Sequence, residues 1–358
     1  MKESRTPDQG RRVAWGSRAL LLVFCCLIGL PAAAQEGVVQ LIYASPYSPN
    51  HPFSQADQDW MQFVEQESDG RLHIRPIWSG GLLSSDQSMI ELRHGVADIG
   101  LITPIYAKGG AHLLRAQTGF YSGTLTAESQ VDLYRCVMEN DAQIQKELAG
   151  LKVLAVQGGN LPGVLTRDVQ VRHLSDLEGL RIRGPTELLP ILKALGADPV
   201  SMPMGDVYSA LAKGILDGVI APTDTFKSLH FAEVAKYYYM LEVPRGAYPA
   251  RAMGMRKWNS LPPEIRDVLE QGIPVWEAAL ASRTRESLET GMAYGLEEGV
   301  EFSPIDADEQ QIFDAIYMAD AERSAMALNA LGMDAESILH AAQASINSDG
   351  LVDCQRRQ

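Results

Sequence analysis

The chain has 358 residues, 46% of them apolar and 21% charged, and a formal net charge of −14. That balance belongs to a globular protein, not to a disordered or fibrous one. The acidic excess excludes a general attraction to nucleic acid or to anionic lipid.

Residues 1–34 place Arg11, Arg12 and Arg18 ahead of an apolar run at 19–30, and Ala32-Ala33-Ala34 precede Gln35. This order of basic region, apolar core and small residues predicts a secretory signal cleaved after residue 34. The run falls short of the about 20 residues that span a bilayer. Cys25 and Cys26 lie inside the run instead of at its end, which argues against a lipid anchor. Arg11-Arg12 hints at twin-arginine export, but its surroundings fit that route poorly. Removal of five basic and two acidic residues leaves 26 basic and 43 acidic, a net charge of −17. The remaining about 320 residues exceed one simple core and suit two lobes. Cys136 and Cys354 are the two cysteines left after processing. An oxidising compartment allows them to pair, although their wide separation does not fix that pairing.

A short apolar run at 38–44 reads as the first strand. After turn-rich residues 45–49, Ala56, Trp60, Phe63 and Val64 recur at helical spacing. Residues 72–78 read as a second strand. Met89, Leu92 and Val96 mark a second helix, and a third strand follows at 98–103. Strands separated by helices predict parallel pairing through right-handed crossovers. Ligands then sit beyond the carboxyl ends of the strands, which makes Ser45, Tyr47, Thr103 and Tyr106 candidates. A helix rich in Val131, Leu133, Tyr134, Val137 and Met138 leads to a strand at 151–157. Farther on, a return strand is expected around 252–255. Ile265, Val268, Leu269, Ile273, Trp276 and Leu280 then form one stripe of a long helix, with a kink or break expected at Pro274. Helices at about 308–331 and 334–346 finish the chain. Asp306 and Asp206 read as helix caps.

The most informative stretch is 176–222. A short strand at 180–183 delivers Arg183 to a turn at Gly184-Pro185, and a second strand follows at 219–221. A guanidinium presents a planar fork that matches a carboxylate. Taken alone, Arg183 serves equally well in a surface ion pair. Arg181 is expected to face solvent. Met204, Tyr208, Thr186 and Asp224 are further pocket candidates, although residues at helical spacing around Tyr208 also read simply as core.

The stretch contains Asp176-Leu177-Glu178-Gly179, Arg183-Gly184-Pro185, Gly196-Ala197-Asp198-Pro199, Met204, Val207-Tyr208, Ala210-Leu211, Gly214, Asp217-Gly218 and Pro222. In that order and spacing it resembles the substrate-binding subunit of tripartite ATP-independent periplasmic (TRAP) transporters, dicarboxylate (DctP) type. Residues 48–102 resemble the family's opening module. Arg256-Lys257-Trp258-Asn259-Ser260-Leu261-Pro262 resembles its second crossover into a long helix. The resemblance implies an α/β, two-lobed periplasmic binding protein fold with discontinuous lobes and a central cleft. Lobe I would comprise 35–157 plus about 249–290, and lobe II 158–248 plus about 291–358. It also implies that Arg183 pairs bidentately with the carboxylate of an organic acid, which the protein delivers to the TRAP membrane permease. Two positions depart from the family. Gly163 stands where members often carry a second arginine, and Ala221 where sialic-acid binders place asparagine. Both departures argue against sialic acid and for a smaller or more apolar carboxylate held largely by Arg183, with Asn160 or Arg167 as weak substitutes.

The sequence contains no GxSxG, HExxH, CxxC or GxxxxGK[ST] pattern, and its seven histidines lack metal-ligand spacing. His51 is the one histidine placed to approach the cleft. The expectation is a periplasmic monomer that binds a solute and performs no covalent chemistry. It would have no cofactor, metal or nucleic-acid partner, and no membrane insertion of the mature chain. The alternatives are an extracytoplasmic sensor that presents an organic acid to a receptor, or a small-acid enzyme.

Overall fold

In a computed structural model, which describes residues 37–357, the first apolar run becomes strand β1 (Val39–Ala44). The signal expected over residues 1–34 lies outside the described residues. The other strands are β2 (Leu72–Ile77), β3 (Ile99–Leu101), β4 (Leu151–Gln157), β5 (Gly163–Thr166), β6 (Arg181–Arg183), β7 (Asp198–Val200), β8 (Gly218–Ala221), β9 (Tyr237–Tyr239), β10 (Tyr248–Gly254) and β11 (Glu301–Ser303). They form two sheets, ordered β2-β1-β3-β10-β4 and β11-β9-β5-β8-β6-β7. A mixed α/β fold with two sheets is therefore present, and β1 pairs in parallel with β2 and β3 as the helical crossovers require.

The return strand departs from simple parallel pairing. β10 runs antiparallel to both β3 and β4, with Tyr248 opposite Gln157. The chain leaves the first sheet at Gln157 and re-enters beside that point, so the re-entering strand has to run backwards. The two crossing segments lie together, and Val243 N–H donates to Pro162 O at 3.0 Å. β5 and β7 carried little strand signal, because each gains order only by pairing with a neighbour, β5 with β8 and β9, β7 with β6.

The helix Pro52–Glu67 opens on Pro52, which has no N–H to leave unpaired, and His51 Nδ1 accepts from Phe53 N–H at 3.2 Å. Its buried face packs against the helix Pro263–Glu297 through Trp60, stacked on Trp276 with ring centroids 3.7 Å apart. An aromatic pair of this kind contributes about 0.5–1.5 kcal/mol beyond its burial. A kink or a break is expected at Pro274, and the long helix continues through it unbroken. Pro274 and Glu270, whose carbonyl loses its helical partner, both lie on the exposed side, where water can satisfy that oxygen. At the other end, a Cβ on Gly291 would lie 2.3 Å from Thr223 O, so the helix also closes tightly on the segment that follows β8. Asp206 and Asp306 begin their helices, yet neither side chain makes a capping hydrogen bond.

The tail divides between the two sheets. β11 joins the second, whereas Ala325, Ile338, Leu339 and Ala342 enter a core that contains Leu92, Leu133 and Leu151. Residues 335–345, expected with the second lobe, therefore pack with the first sheet. Cys136 and Cys354 are joined by a disulfide, Cα–Cα 5.6 Å, which ties the end of the chain to the same region. Because the bond closes a long loop, Cys136→Ser should lower stability by about 2–4 kcal/mol in urea melts without reductant. Reductant should destabilise the parent chain but leave the variant unchanged.

Candidate functional site

A cavity of about 110 Å³ lies where the two sheets meet. Tyr47, Thr103 and Tyr106 follow β1 and β3 of the first sheet. Arg183, Pro185, Leu188, Met204, Ile220 and Pro222 come from the second, Pro162, Pro244, Arg245 and Gly246 come from the crossing segments, and Tyr248 opens β10. The carboxyl-end rule accounts for the first group. Among the described residues no group of three or more His, Cys, Asp or Glu is placed to hold a metal.

Arg183 is 2% exposed. Its Nε and Nη2 donate to Met202 O at 3.0 and 2.9 Å, and Nη2 also donates to Tyr106 OH at 2.6 Å. Its guanidinium carbon stands 5.8 Å from the Tyr106 ring centre. Among the described residues no carboxylate pairs with it. A buried guanidinium without a counter-charge is costly, so this cavity wall presents an unmatched positive charge. Arg181 shares its strand face, but depth along the strand separates the two: Arg181 is exposed and pairs with Asp198 at 2.9 Å.

Tyr47 stacks on His51 with centroids 4.1 Å apart, and burial raises the Tyr47 hydroxyl pKa. Burial, with Arg251 and Arg245 nearby, pushes His51 down to about 3, so its imidazole is neutral and serves as a helix cap. The Thr103 hydroxyl is committed to Ser85 O.

Four candidates stand outside the cavity lining. Ser45 is buried, and its hydroxyl accepts from Tyr47 N–H at 3.3 Å, shaping the loop behind the site. Thr186 is exposed on the far side of its turn and hydrogen-bonds Ser201 at 3.2 Å. Tyr208 donates to Glu233 at 3.0 Å on the surface. Asp224 is buried, but it faces a separate groove lined by Ser48, Lys227 and Arg283. Burial raises the Asp224 pKa, while the Asn160 amide, donating at 3.0 Å, and Arg245 oppose that rise. Of the weak substitutes, Asn160 is thus engaged with Asp224, and Arg167 with Asp168 at 3.4 Å.

Arg245 is the functional candidate that sequence reasoning missed. A Cβ at Gly163 would lie 2.6 Å from Tyr238 OH, so no side chain fits where the family's second arginine was sought. A Cβ at Gly159 would lie 2.3 Å from the Arg245 guanidinium carbon, so that group rests on bare backbone. A basic residue flanked by two cavity-lining neighbours was the only available signal, and the position is legible only once the crossing segments are folded together.

Behind the turn that follows Arg183, a crevice of about 330 Å³ contains Glu187, Arg115, His112 and Asp320. Glu187 Oε2 is buried without a hydrogen-bond partner, and burial pushes its pKa up to about 7, against a smaller opposing pull from Arg115. The folded state then holds this proton more tightly than the unfolded chain, whose carboxyl titrates near about 4.3. Stability from this group is lost as pH rises between those values. Glu187→Gln should therefore raise the melting temperature at pH 8 and change it little at pH 4, in thermal melts at both.

The model of bacterial extracellular solute-binding protein, family 7, matches residues 43–324. A TRAP solute-binding protein from Rhodoferax ferrireducens, crystallised with copurified benzoate, superposes with a TM-score of 0.79 at 25% identity, over 86% of this chain and 97% of that one. A solute-binding protein of Albidiferax ferrireducens is 25% identical over 64% of this chain and 69% of its own. A monocarboxylate 2-oxoacid-binding periplasmic protein of Nostoc is 25% identical over 58% of this chain and 57% of its own. The family match spans both sheets and every wall of the cavity, and the chain belongs to the bacterial extracellular solute-binding proteins of family 7, the substrate-binding subunits of TRAP transporters.

Proposed function

We propose that this chain is exported to the periplasm by cleavage after residue 34, captures an organic acid in the cavity between the sheets, and delivers it to a TRAP membrane permease. The observation that carries this reading is Arg183: a buried guanidinium, free of any carboxylate among the described residues, on the wall of a cavity shared by both sheets. The acid's carboxylate replaces the missing counter-charge. Lobes built around the two sheets, 35–157 with about 249–290 and 158–248 with most of the remainder, close on it by bending at the crossing segments. The benzoate found with the Rhodoferax protein and the naming of the Nostoc protein as monocarboxylate 2-oxoacid-binding support a carboxylate ligand. Among the described residues no helix is long and apolar enough to cross a membrane, which fits a partner that supplies the membrane passage.

Thermal melts of purified residues 35–358 against a panel of organic acids test the reading. An acid at about 100 times its dissociation constant adds about 2.7 kcal/mol to folded-state stability. Stabilisation by at least one acid, recovered chemically unchanged, is the expected result. A panel without any stabilising acid, or an acid that is turned over, defeats the reading.

A further inference from the structure

We propose that Arg245 sets the specificity of this cavity: it supplies the second positive charge around one compact monocarboxylate whose body is apolar. The inference rests on the organic-acid reading above and adds the class of acid. Arg245 lines the same cavity as Arg183. Its Nη1 donates a long hydrogen bond to the Asn160 main-chain carbonyl at 3.3 Å, and among the described residues it forms no ion pair. Both guanidiniums are near enough to the Tyr47 hydroxyl to oppose the rise that burial gives its pKa.

Charge counting sets the valence of the ligand. Asn160 accepts from Arg245 through its carbonyl and donates to Asp224 through its side chain, so the buried Asp224 is the protein's own partial answer to Arg245. Two arginines against one aspartate leave room for a single negative charge. A dicarboxylate would bury a second charge for which, among the described residues, no further cation lines the cavity.

Volume and lining set the body of the ligand. A cavity of about 110 Å³ is of the order of one that accepts a single benzene ring. Its walls at Ile105, Leu188, Met204 and Ile220 offer no hydrogen bonds, and its side-chain hydroxyls are those of Tyr47, Tyr106, Tyr248 and Thr103, of which Thr103 already donates to Ser85 O. A sugar acid would turn some of its many hydroxyls onto the apolar walls, unpaired.

Calorimetry on residues 35–358 with benzoate, succinate and D-glucuronate, repeated with Arg245→Gln and Arg245→Lys, tests the proposal. Benzoate is expected to bind at least 100-fold more tightly than succinate or glucuronate. Arg245→Gln should weaken benzoate at least tenfold, and Arg245→Lys should weaken it less, with melting temperatures of the free variants unchanged. Tighter binding of succinate or glucuronate overturns the monocarboxylate inference while leaving the organic-acid reading intact. Unaltered benzoate affinity in Arg245→Gln overturns the role of Arg245. No heat with any organic acid defeats the underlying reading and this inference with it.

Discussion

Asp57→Ala is expected to lower the unfolding free energy by about 3–5 kcal/mol, the range for a buried ion pair that loses one member. Asp57 and Arg251 are both fully buried, with Arg251 Nε donating to Asp57 Oδ1 at 2.8 Å. The same oxygen accepts from Trp276 Nε1 at 2.9 Å, and the other accepts from Tyr43 OH at 2.5 Å. Burial disfavours the Arg251 charge, but Asp57, together with Tyr43 and Tyr248, outweighs that cost. Without the carboxylate, a guanidinium is stranded in the core and three donors lose their acceptor. Urea melts of Asp57→Ala and of the double variant Asp57→Leu/Arg251→Met check the account. Removing both charges should recover much of the loss, because it eliminates the stranded ion. If the double variant is no more stable than the single one, the cost lies in packing and not in the charge.

Arg183→Ala is expected to weaken ligand binding thirtyfold to several-thousandfold, matching the about 2–5 kcal/mol lost when one partner of a buried charge pair is truncated. The fold should persist, since Arg183 links only Met202 O and Tyr106 OH. Arg183→Lys retains the charge but not the fork, so its affinity should fall between the two. Calorimetry with the acid that most stabilises the parent chain, run beside a thermal melt of each free variant, separates lost contact from lost structure. An alanine variant that binds as well as the parent removes Arg183 from the site.

The sequence made legible those features that depend on local pattern. Alternation of strand and helix led to β1, β2 and β3, and the carboxyl-end rule brought Tyr47, Thr103 and Tyr106 to the cavity. The motif around Arg183 placed Arg183 and Met204 there as well. Thr186 and Tyr208 lie outside the cavity lining, because motif proximity does not say which side of a turn or helix faces inward. Asp224 and Ser45 are buried as cavity residues often are, but each is turned to a neighbour. Arg245 and the Asp57–Arg251 pair were invisible for a different reason. Asp57 and Arg251 are 194 positions apart, and Arg245 lies in an aperiodic segment that acquires its place only when β4 and β10 lie side by side.

The long helix constrains how such a molecule can move. At about 1.5 Å per residue its 35 residues extend about 52 Å, gripped near the middle through Trp276 and toward the C-terminal end through Gly291. It behaves as a beam, and sliding along it would drive backbone into backbone at Gly291. Between the grips, Asn160 donates to Thr284 O at 2.9 Å, fixing a crossing segment to the middle of the beam. Under the closure proposed above, motion is a rotation about that pivot. Arg245, beside it, stays nearly in place, while Arg183 rides the moving arm. Closure of that kind would carry a mobile charge toward a stationary one.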